Sequence, residues 1–384
     1  MHKIVILGAG YAGLMALTSV VGRTKKRDDV HVTLVNPSER FTERLRLHQV
    51  AAGRPVADFR LPDMLEGTGV ELVRGWVTGI DATARTVRVD DEHVLTYDTL
   101  VYALGSVADT AVPGADEHAY TLDNAQNAAL LAQRLTDPDT KTVAVCGSGL
   151  TGVEVAAEIA EAHPGLTVEL LGRGEPGADF GPKAKAHLDA TLDRLGVRVR
   201  AGVEITKVLP DSVALAGGGS VPADVVVWTS GVHVSPLPAA AGLEVDERGR
   251  VITDAALRSV SHPEIYVVGD AAAVRQTWGE LHGTCQSGMP TGAHAGMSIA
   301  RQLDGKEPKP FRFGYIHIPV SLGRGDAVVQ FTKPDGTPRR WSLRGKRAVW
   351  YKETVSSAPW PTCGRMMRHP ATASVWPHGG RRNR

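Results

Sequence analysis

The chain alternates short runs of β-branched residues with longer Ala/Val-rich stretches of helical spacing, the rhythm of repeated strand–helix–strand units. "KIVIL" at 3–7 and "HVTLVN" at 31–36 are the strands of a first unit, with a helix between them. A helical stretch follows over 41–53, then a strand near 70–75 and a hairpin over 86–97. The buried run at 98–106 returns a strand to the same sheet and ends on glycine. Pro113-Gly114 then breaks the pattern, so "VPGADEHAYTL" reads as a linker.

A second unit starts at 142 and reaches a strand at 166–172, followed by a helix over 182–195 and the strand "VRVRAG". A glycine-turned hairpin surrounds "LAGGGS", and the run at 223–232 mirrors 98–106, again closing on glycine. A third such run, at 262–274, is expected to return to the first sheet. After 305 the alternation stops, and "FGYIHIPVSLGRGDAVVQFT" has the look of antiparallel strands. Residues 359–384 show no period. The predicted class is α/β, with two Rossmann-like three-layer domains, one inserted in the other, plus a C-terminal α+β domain. The expected boundaries are 1–111 and 236–304 for the first domain and 112–235 for the inserted one. Residues 305–384 form the C-terminal domain and basic tail.

Each unit opens with the same turn. Gly8, Gly10 and Gly13 follow the first strand, and Gly147, Gly149 and Gly152 follow its counterpart at 142. In Gly-x-Gly-x-x-Gly the first glycine permits the tight turn and the second lets the backbone approach a pyrophosphate. The third brings helix and strand close, and the phosphates meet the positive end of the helix dipole. Two such turns predict two dinucleotides, the arrangement of a flavoenzyme reduced by a nicotinamide.

Composition narrows the setting. With 42% hydrophobic and 22% charged residues the balance is that of a globular protein, and no apolar run is long enough to span a bilayer. "MHKIVILGAG" reads as strand and turn rather than a cleavable signal. The three cysteines, Cys146, Cys285 and Cys363, form no CxxC pair, which argues for a reducing compartment and a cytoplasmic location. No metal site and no nucleic-acid partner is expected. Residues 301–384 hold 17 Lys/Arg against 5 Asp/Glu, so the C-terminal part is strongly basic. It is either a solvated tail or a surface for an acidic partner: a phosphate, an anionic protein or a lipid. Four of the seven tryptophans, Trp341, Trp350, Trp360 and Trp376, lie in it.

The stretches GAGYAG (8–13), "RLHQVAAG" (46–53), "YDTLVYALGS" (97–106), "GSGLTGVEVAAEIAE" (147–161), "ADVVVWTSG" (223–231) and "IYVVGDAA" (265–272) occur in an informative order. Together they resemble the two-dinucleotide-binding-domain FAD/NAD(P)-dependent oxidoreductases, which include the pyridine nucleotide-disulfide reductases. The likeness is greatest to type II NADH dehydrogenase-like proteins and covers about residues 3–350. It implies that Gly8, Gly10 and Gly13 hold the FAD pyrophosphate and that Asp270, beside Gly269, binds a ribityl hydroxyl. Gly147, Gly149 and Gly152 would take the pyrophosphate of NADPH or NADH. Glu154 would stand near the nicotinamide, or else be an acid favoured by its helix dipole. Val77, Ala103, Gly105 and Gly231 are further implied cofactor contacts, as is Arg44. Arg46, His48 and His294 are the candidate catalytic positions around an acceptor pocket, with Gln286 nearby.

Departures from the family pattern are as informative. Asn36, with Glu39 beyond it, stands where an acid normally takes the FAD adenosine ribose; its amide can still accept a hydroxyl hydrogen bond. The equivalent place in the second unit is Gly172-Arg173, with no acid, which favours the 2′-phosphate of NADPH. The helix expected to carry redox cysteines has none. Where the quinone-reducing branch keeps a glutamine-bearing helix, this chain has Pro290 and His294, and no amphipathic membrane helix is readable in 352–370. The expected function is an FAD-dependent oxidoreductase that takes hydride from NAD(P)H, NADPH favoured, and passes electrons to an undetermined acceptor, a small organic substrate among the options. A membrane-peripheral quinone dehydrogenase, a donor to an acidic redox protein and a non-catalytic NAD(P)H-sensing flavoprotein are the alternatives, and a homodimer is left open.

Overall fold

Apolar runs that face helices on both sides become parallel strands, because only a covered sheet can bury every side chain of a strand. The computed structural model describes residues 1–90 and 92–379; Asp91 at the predicted hairpin turn and the end of the basic tail, 380–384, lie outside the described residues. The first sheet starts with β1 (His2–Leu7), β2 (Val30–Asn36), β3 (Glu71–Arg74) and β4 (Thr99–Tyr102). The second consists of β5 (Ala119–Thr121), β6 (Thr142–Cys146), β7 (Thr167–Gly172), β8 (Arg198–Ala201) and β9 (Val225–Trp228). The chain then returns to the first sheet through β10 (Ile265–Val267), which pairs parallel with β4. The two sheets have the orders β10-β4-β1-β2-β3 and β8-β7-β6-β9-β5, all parallel. A three-stranded antiparallel sheet follows, formed by β11 (His317–Ser321), β12 (Ala327–Thr332) and β13 (Pro338–Arg344).

Six helices position what matters below. They are α1 (Tyr11–Thr24), α2 (Leu47–Ala51), α3 (Leu150–Ala162), α4 (Cys285–Leu303), α5 (Lys346–Ser357) and α6 (Pro359–Arg368). Every residue of α1 except Arg23 is buried, since the helix lies between the first sheet, α4 and α6. Glycines make this fit. A side chain at Gly292 would overlap the Ala12 carbonyl, and one at Gly296 would sit 2.6 Å from the Ser19 Cβ. The Ser19 hydroxyl then donates to the Ala293 carbonyl at 3.0 Å across the interface. Leu47 and Ala51 of α2, with Val320 and Val328 of the antiparallel sheet, join the core of the second parallel sheet. Three parts of the chain therefore share one apolar cluster beside α3.

Two segments differ from the sequence-based expectation. The linker holds a short helix, Ala115–His118, and β5, the edge strand beside β9. Pro113-Gly114 does interrupt the chain, with Gly114 at φ +78°, but three half-buried strand residues are too few for an alternating pattern. The aperiodic tail contains α6 and a short 3-10 turn, Pro370–Ser374. The buried side of α6 is Pro359, Cys363 and Met366, a helical spacing written in residues that do not read as a helical stripe.

The α1–α4 contact yields a test. Gly292→Ala should cost about 1–3 kcal/mol through overpacking, lowering the melting temperature by several degrees. Gly325→Ala, where nothing lies within 4 Å of the added Cβ, should leave it unchanged. Thermal denaturation of the two variants checks this.

Candidate functional site

The two glycine turns are built alike. Gly8 and Gly147 have φ +94° and +123°, where a side chain is strained, and each is backed by the end of a neighbouring strand. A Cβ on Gly8 would lie 2.7 Å from the Ala103 carbonyl, and one on Gly147 2.7 Å from the Thr229 hydroxyl. At Gly13 and Gly152 an added Cβ would overlap the carbonyls of Gly8 and Gly147. Gly10 and Gly149 are the opposite case, with nothing within 4 Å of that position. Both cap their helices without a side-chain hydrogen bond, so the first N–H groups of α1 and α3 face open space. Each turn is thus a backbone cradle of helix-start N–H groups without a side-chain cap, the shape a phosphate requires, and it occurs twice.

Different side chains brace the two turns. In the first, Asn36 at the end of β2 accepts from the Ala9 N–H at 2.9 Å and donates to the Ser38 carbonyl at 2.6 Å. The amide at the expected ribose position thus also fixes the glycine loop. Glu39 points to Arg60 and Arg74 at 3.4 and 4.0 Å. Val77 follows Gly75, whose N–H donates to the Asn36 carbonyl, so Val77 stands near this end of the site. In the second turn Ser148 donates to the Gly174 carbonyl at 2.7 Å, which leaves Arg173 exposed directly beside the cradle.

Asp270 lies in a short turn after β10 and accepts from the Ser106 hydroxyl at 2.7 Å. Gly105, at φ +68° with open space beside it, precedes Ser106; Arg44 donates to the Ser106 carbonyl at 2.9 Å and approaches Asp123 at 3.5 Å. The Gly269 N–H donates to Thr291 of α4 at 3.0 Å. Gly231 lies where the two sheets are joined, its carbonyl accepting from the Asp109 N–H at 3.2 Å.

A buried charged cluster stands between α2, α3, α5 and β11. Lys352 of α5 is 7% exposed and meets Glu154 of α3 at 2.7 Å. It also donates to the Ser321 hydroxyl at 2.6 Å, while the Ser321 N–H donates to Glu154 at 3.0 Å. Burial opposes the charge on Glu154, but Lys352, His48 and the Ser321 N–H outweigh it and hold the carboxyl below its ordinary range. His48 lies 3.8 Å from the other Glu154 oxygen, and burial depresses it to about 4, so it is neutral at pH 7. Its Nε2 is buried with no partner among the described residues. Arg46 pairs with Glu353 at 2.9 Å, and Arg324 holds the same carboxylate at 3.0 Å. Cys285, the first residue of α4, is half-buried; burial and the charges of Asp270 and Glu154 push its thiol up to about 12. Cys146, Cys285 and Cys363 are all unbonded.

The structure thus brings Arg46, His48 and Glu154 together, and Arg44 with Asp270, but not His294. That residue is nine positions into α4, about 14 Å along the axis at the usual helical rise. There its Nε2 meets the Lys309 carbonyl at 2.8 Å and its ring packs against Phe311 and Trp376. The expected acceptor-pocket residue His294 thus shares a helix with Cys285 but stands apart from the Glu154 cluster. Gln286 is also committed, donating to the His317 carbonyl and accepting from the Ile316 N–H. Lys352, Ser321 and Glu353 were not readable as members of this cluster, because only the folding of β11 and α5 carries them to α3.

A family model described as pyridine nucleotide-disulphide oxidoreductase matches residues 2–299. An NADH dehydrogenase-like protein of Mycobacterium tuberculosis is 30% identical, the alignment covering 93% of this chain and 94% of the relative. A type II NADH:quinone oxidoreductase of Staphylococcus epidermidis is 28% identical, covering 92% and 94%. Among solved structures, NDH2 from Plasmodium falciparum in complex with NADH has a TM-score of 0.79 at 15% identity, covering 96% of this chain and 97% of that one. Sulfide:quinone oxidoreductase from Aquifex aeolicus also has a TM-score of 0.79, at 17% identity and covering 96% and 92%. These structural likenesses show the shared fold. Paired glycine turns on such a fold, with the family model matching residues 2–299, place the chain in the pyridine nucleotide-disulphide oxidoreductase family as an NAD(P)H-dependent flavin oxidoreductase.

Proposed function

We propose that this chain passes electrons from a reduced nicotinamide dinucleotide, by way of bound FAD, to a quinone. FAD, when bound, supplies the two-electron relay between donor and acceptor. Gly8, Gly10 and Gly13 would hold its pyrophosphate and Asp270, with Ser106, its ribityl chain. Asn36 and Val77 lie toward its adenosine end, and Arg44, Ala103, Gly105 and Gly269 line the strand ends between. Gly147, Gly149, Gly152, Arg173 and Gly231 would receive the nicotinamide dinucleotide. The open positions at Gly10 and Gly149 are what makes both groups fit.

One observation favours a quinone over the small organic acceptor: the buried Lys352–Glu154 pair. Reducing a quinone to a quinol takes two electrons and two protons; both electrons and one proton would come from reduced FAD, and the other proton from the protein. A lysine has three N–H donors, and Lys352 uses two, on Glu154 and Ser321. The third can donate to an acceptor carbonyl and pass it that one proton, which leaves Lys352 neutral and Glu154 as the unpaired carboxylate until a proton returns to the pair. Neutral His48, beside Glu154 with a free ring nitrogen, can hydrogen-bond the acceptor or relay a proton. Arg46 is locked to Glu353 and positions the start of α2. The quinone oxidoreductases among the relatives, aligned along nearly the full chain, support the same reading. No helix among the described residues is long and apolar enough to cross a membrane.

The decisive comparison is Lys352→Arg, which keeps the charge but does not release a proton at neutral pH. Stopped-flow reduction of bound flavin by NADH should stay within about threefold of wild type, whereas quinone turnover should fall roughly 100-fold, the usual weight of a general acid. Unchanged quinone turnover would contradict the proposal, and wild-type turnover with small aromatic acceptors but not quinones would restore the small-substrate reading.

NADPH is the favoured dinucleotide in this proposal, because Arg173 is exposed beside the second cradle and no acid stands between Leu171 and Gly174. A charge-assisted contact to a 2′-phosphate gives about 1.5–3 kcal/mol, roughly ten- to hundredfold in kcat/KM. Arg173→Ala should abolish that preference while leaving NADH nearly unaffected. Equal wild-type values for the two dinucleotides, or equal losses in the variant, would show that Arg173 does not read the phosphate.

A further inference from the structure

A cavity of about 1230 Å³ opens at the far end of α1 from its glycine turn, on the wall that also holds His294. The end of α1 and the residues after it supply Arg23, Lys25 and Lys26; the end of α4 and the segment beyond supply Arg301, Lys309 and Arg312. Arg27 and Lys306 complete eight Lys/Arg, against one lining carboxylate, Asp304. Asp304 is already paired with Arg27 at 3.2 Å and Lys306 at 3.5 Å. Among the described residues, no carboxylate pairs with Arg23, Lys25, Lys26, Arg301, Lys309 or Arg312. Arg23 is the one residue of α1 that escapes burial, and its guanidinium donates to the Pro370 carbonyl at 2.7 Å.

Helix ends explain part of this charge. α1 and α4 both finish at the cavity, and a helix C-terminus carries about half a negative charge, so the pair accounts for roughly one cation. Several positive charges remain gathered around a concave space, where their fields reinforce one another. The cavity exceeds the few hundred Å³ of a typical small-molecule site, so a nucleotide-sized ligand fits. Trp376 forms one flat wall, held by its Nε1–H donating to the Arg312 carbonyl at 3.1 Å and by ring contact with Phe311. The 14 residues of α1 separate this place from the first cradle by about 21 Å. An occupant here is therefore distinct from a dinucleotide held at the first cradle.

We propose that this cavity binds a soluble anion bearing several phosphates, of the nucleoside triphosphate class, as a third site distinct from both dinucleotide cradles. Cations drawn from separate chain segments around a hollow suit a discrete ligand; a lipid surface is planar and is met by cations on one flat face. The proposal does not depend on which acceptor the redox site uses.

The test titrates FAD-loaded full-length protein with ATP and, separately, inorganic tripolyphosphate by calorimetry, with saturating NAD⁺ filling the dinucleotide site. Saturable binding of both is expected, weakening with salt. Lys25→Glu/Lys309→Glu should raise Kd at least tenfold, with FAD content and flavin reduction by NADH unchanged; Arg312→Gln, a milder change, should raise it severalfold. Phosphatidylglycerol vesicles are sedimented with the same proteins. Absence of saturable binding, or equal affinity in the variants, would overturn the proposal. So would vesicle binding lost in the variants without any binding of the soluble anions.

Discussion

The joint between α3 and the C-terminal sheet keeps an ammonium out of water. Lys352 is almost fully buried, and isolating a charge in that way costs several kcal/mol unless a partner of opposite sign is within reach. Glu154 is that partner, and Ser321 bonds to both. The three residues come from α5, α3 and β11, so the ion pair forms only when the C-terminal sheet is seated against the second parallel sheet. The shared apolar cluster of α2, β11, β12 and the second sheet provides that seating. A buried ion pair seldom adds stability over an apolar substitute of similar shape. Its retention here fits the proposed role in supplying a proton.

The doubled glycine turn answers a geometric need. A donor dinucleotide and FAD each require a phosphate cradle on a helix start, and each cradle is backed by the strand next to it in the sheet. The chain meets this by running the first sheet, interrupting it with the second, and returning through β10 to deliver Asp270 opposite the first cradle. The two copies diverge at their braces. Asn36 is drawn into fixing the first loop, whereas Ser148 fixes the second and Arg173 beside it stays exposed.

How much could be read in advance follows from how local each signal is. Gly8 and Gly147 were legible because their constraint is met within a few residues: a positive φ followed at once by a helix start. The buried runs ending on Gly105 and Gly231 were legible for the same reason. Lys352 was not, since a lysine in "YKETV" looks like any surface lysine until the fold buries it beside Glu154. His294 is the converse case: its helix starts beside the Glu154 cluster, but the length of α4 carries this side chain away from it to the Lys309 carbonyl. α6 was missed because Pro359, Cys363 and Met366 bury its inner face without an aliphatic stripe.

A double-mutant cycle on Glu154→Gln and Lys352→Met, reading stability and quinone turnover in the same samples, tests the role of the pair most directly. Each single change should cost about 3–5 kcal/mol of stability by orphaning a buried charge, and the double variant should recover most of that loss. Quinone turnover should stay low in all three variants while flavin reduction by NADH persists. Recovery of quinone turnover together with stability in the double variant would contradict the claim, because the pair would then be holding the fold and not delivering a proton.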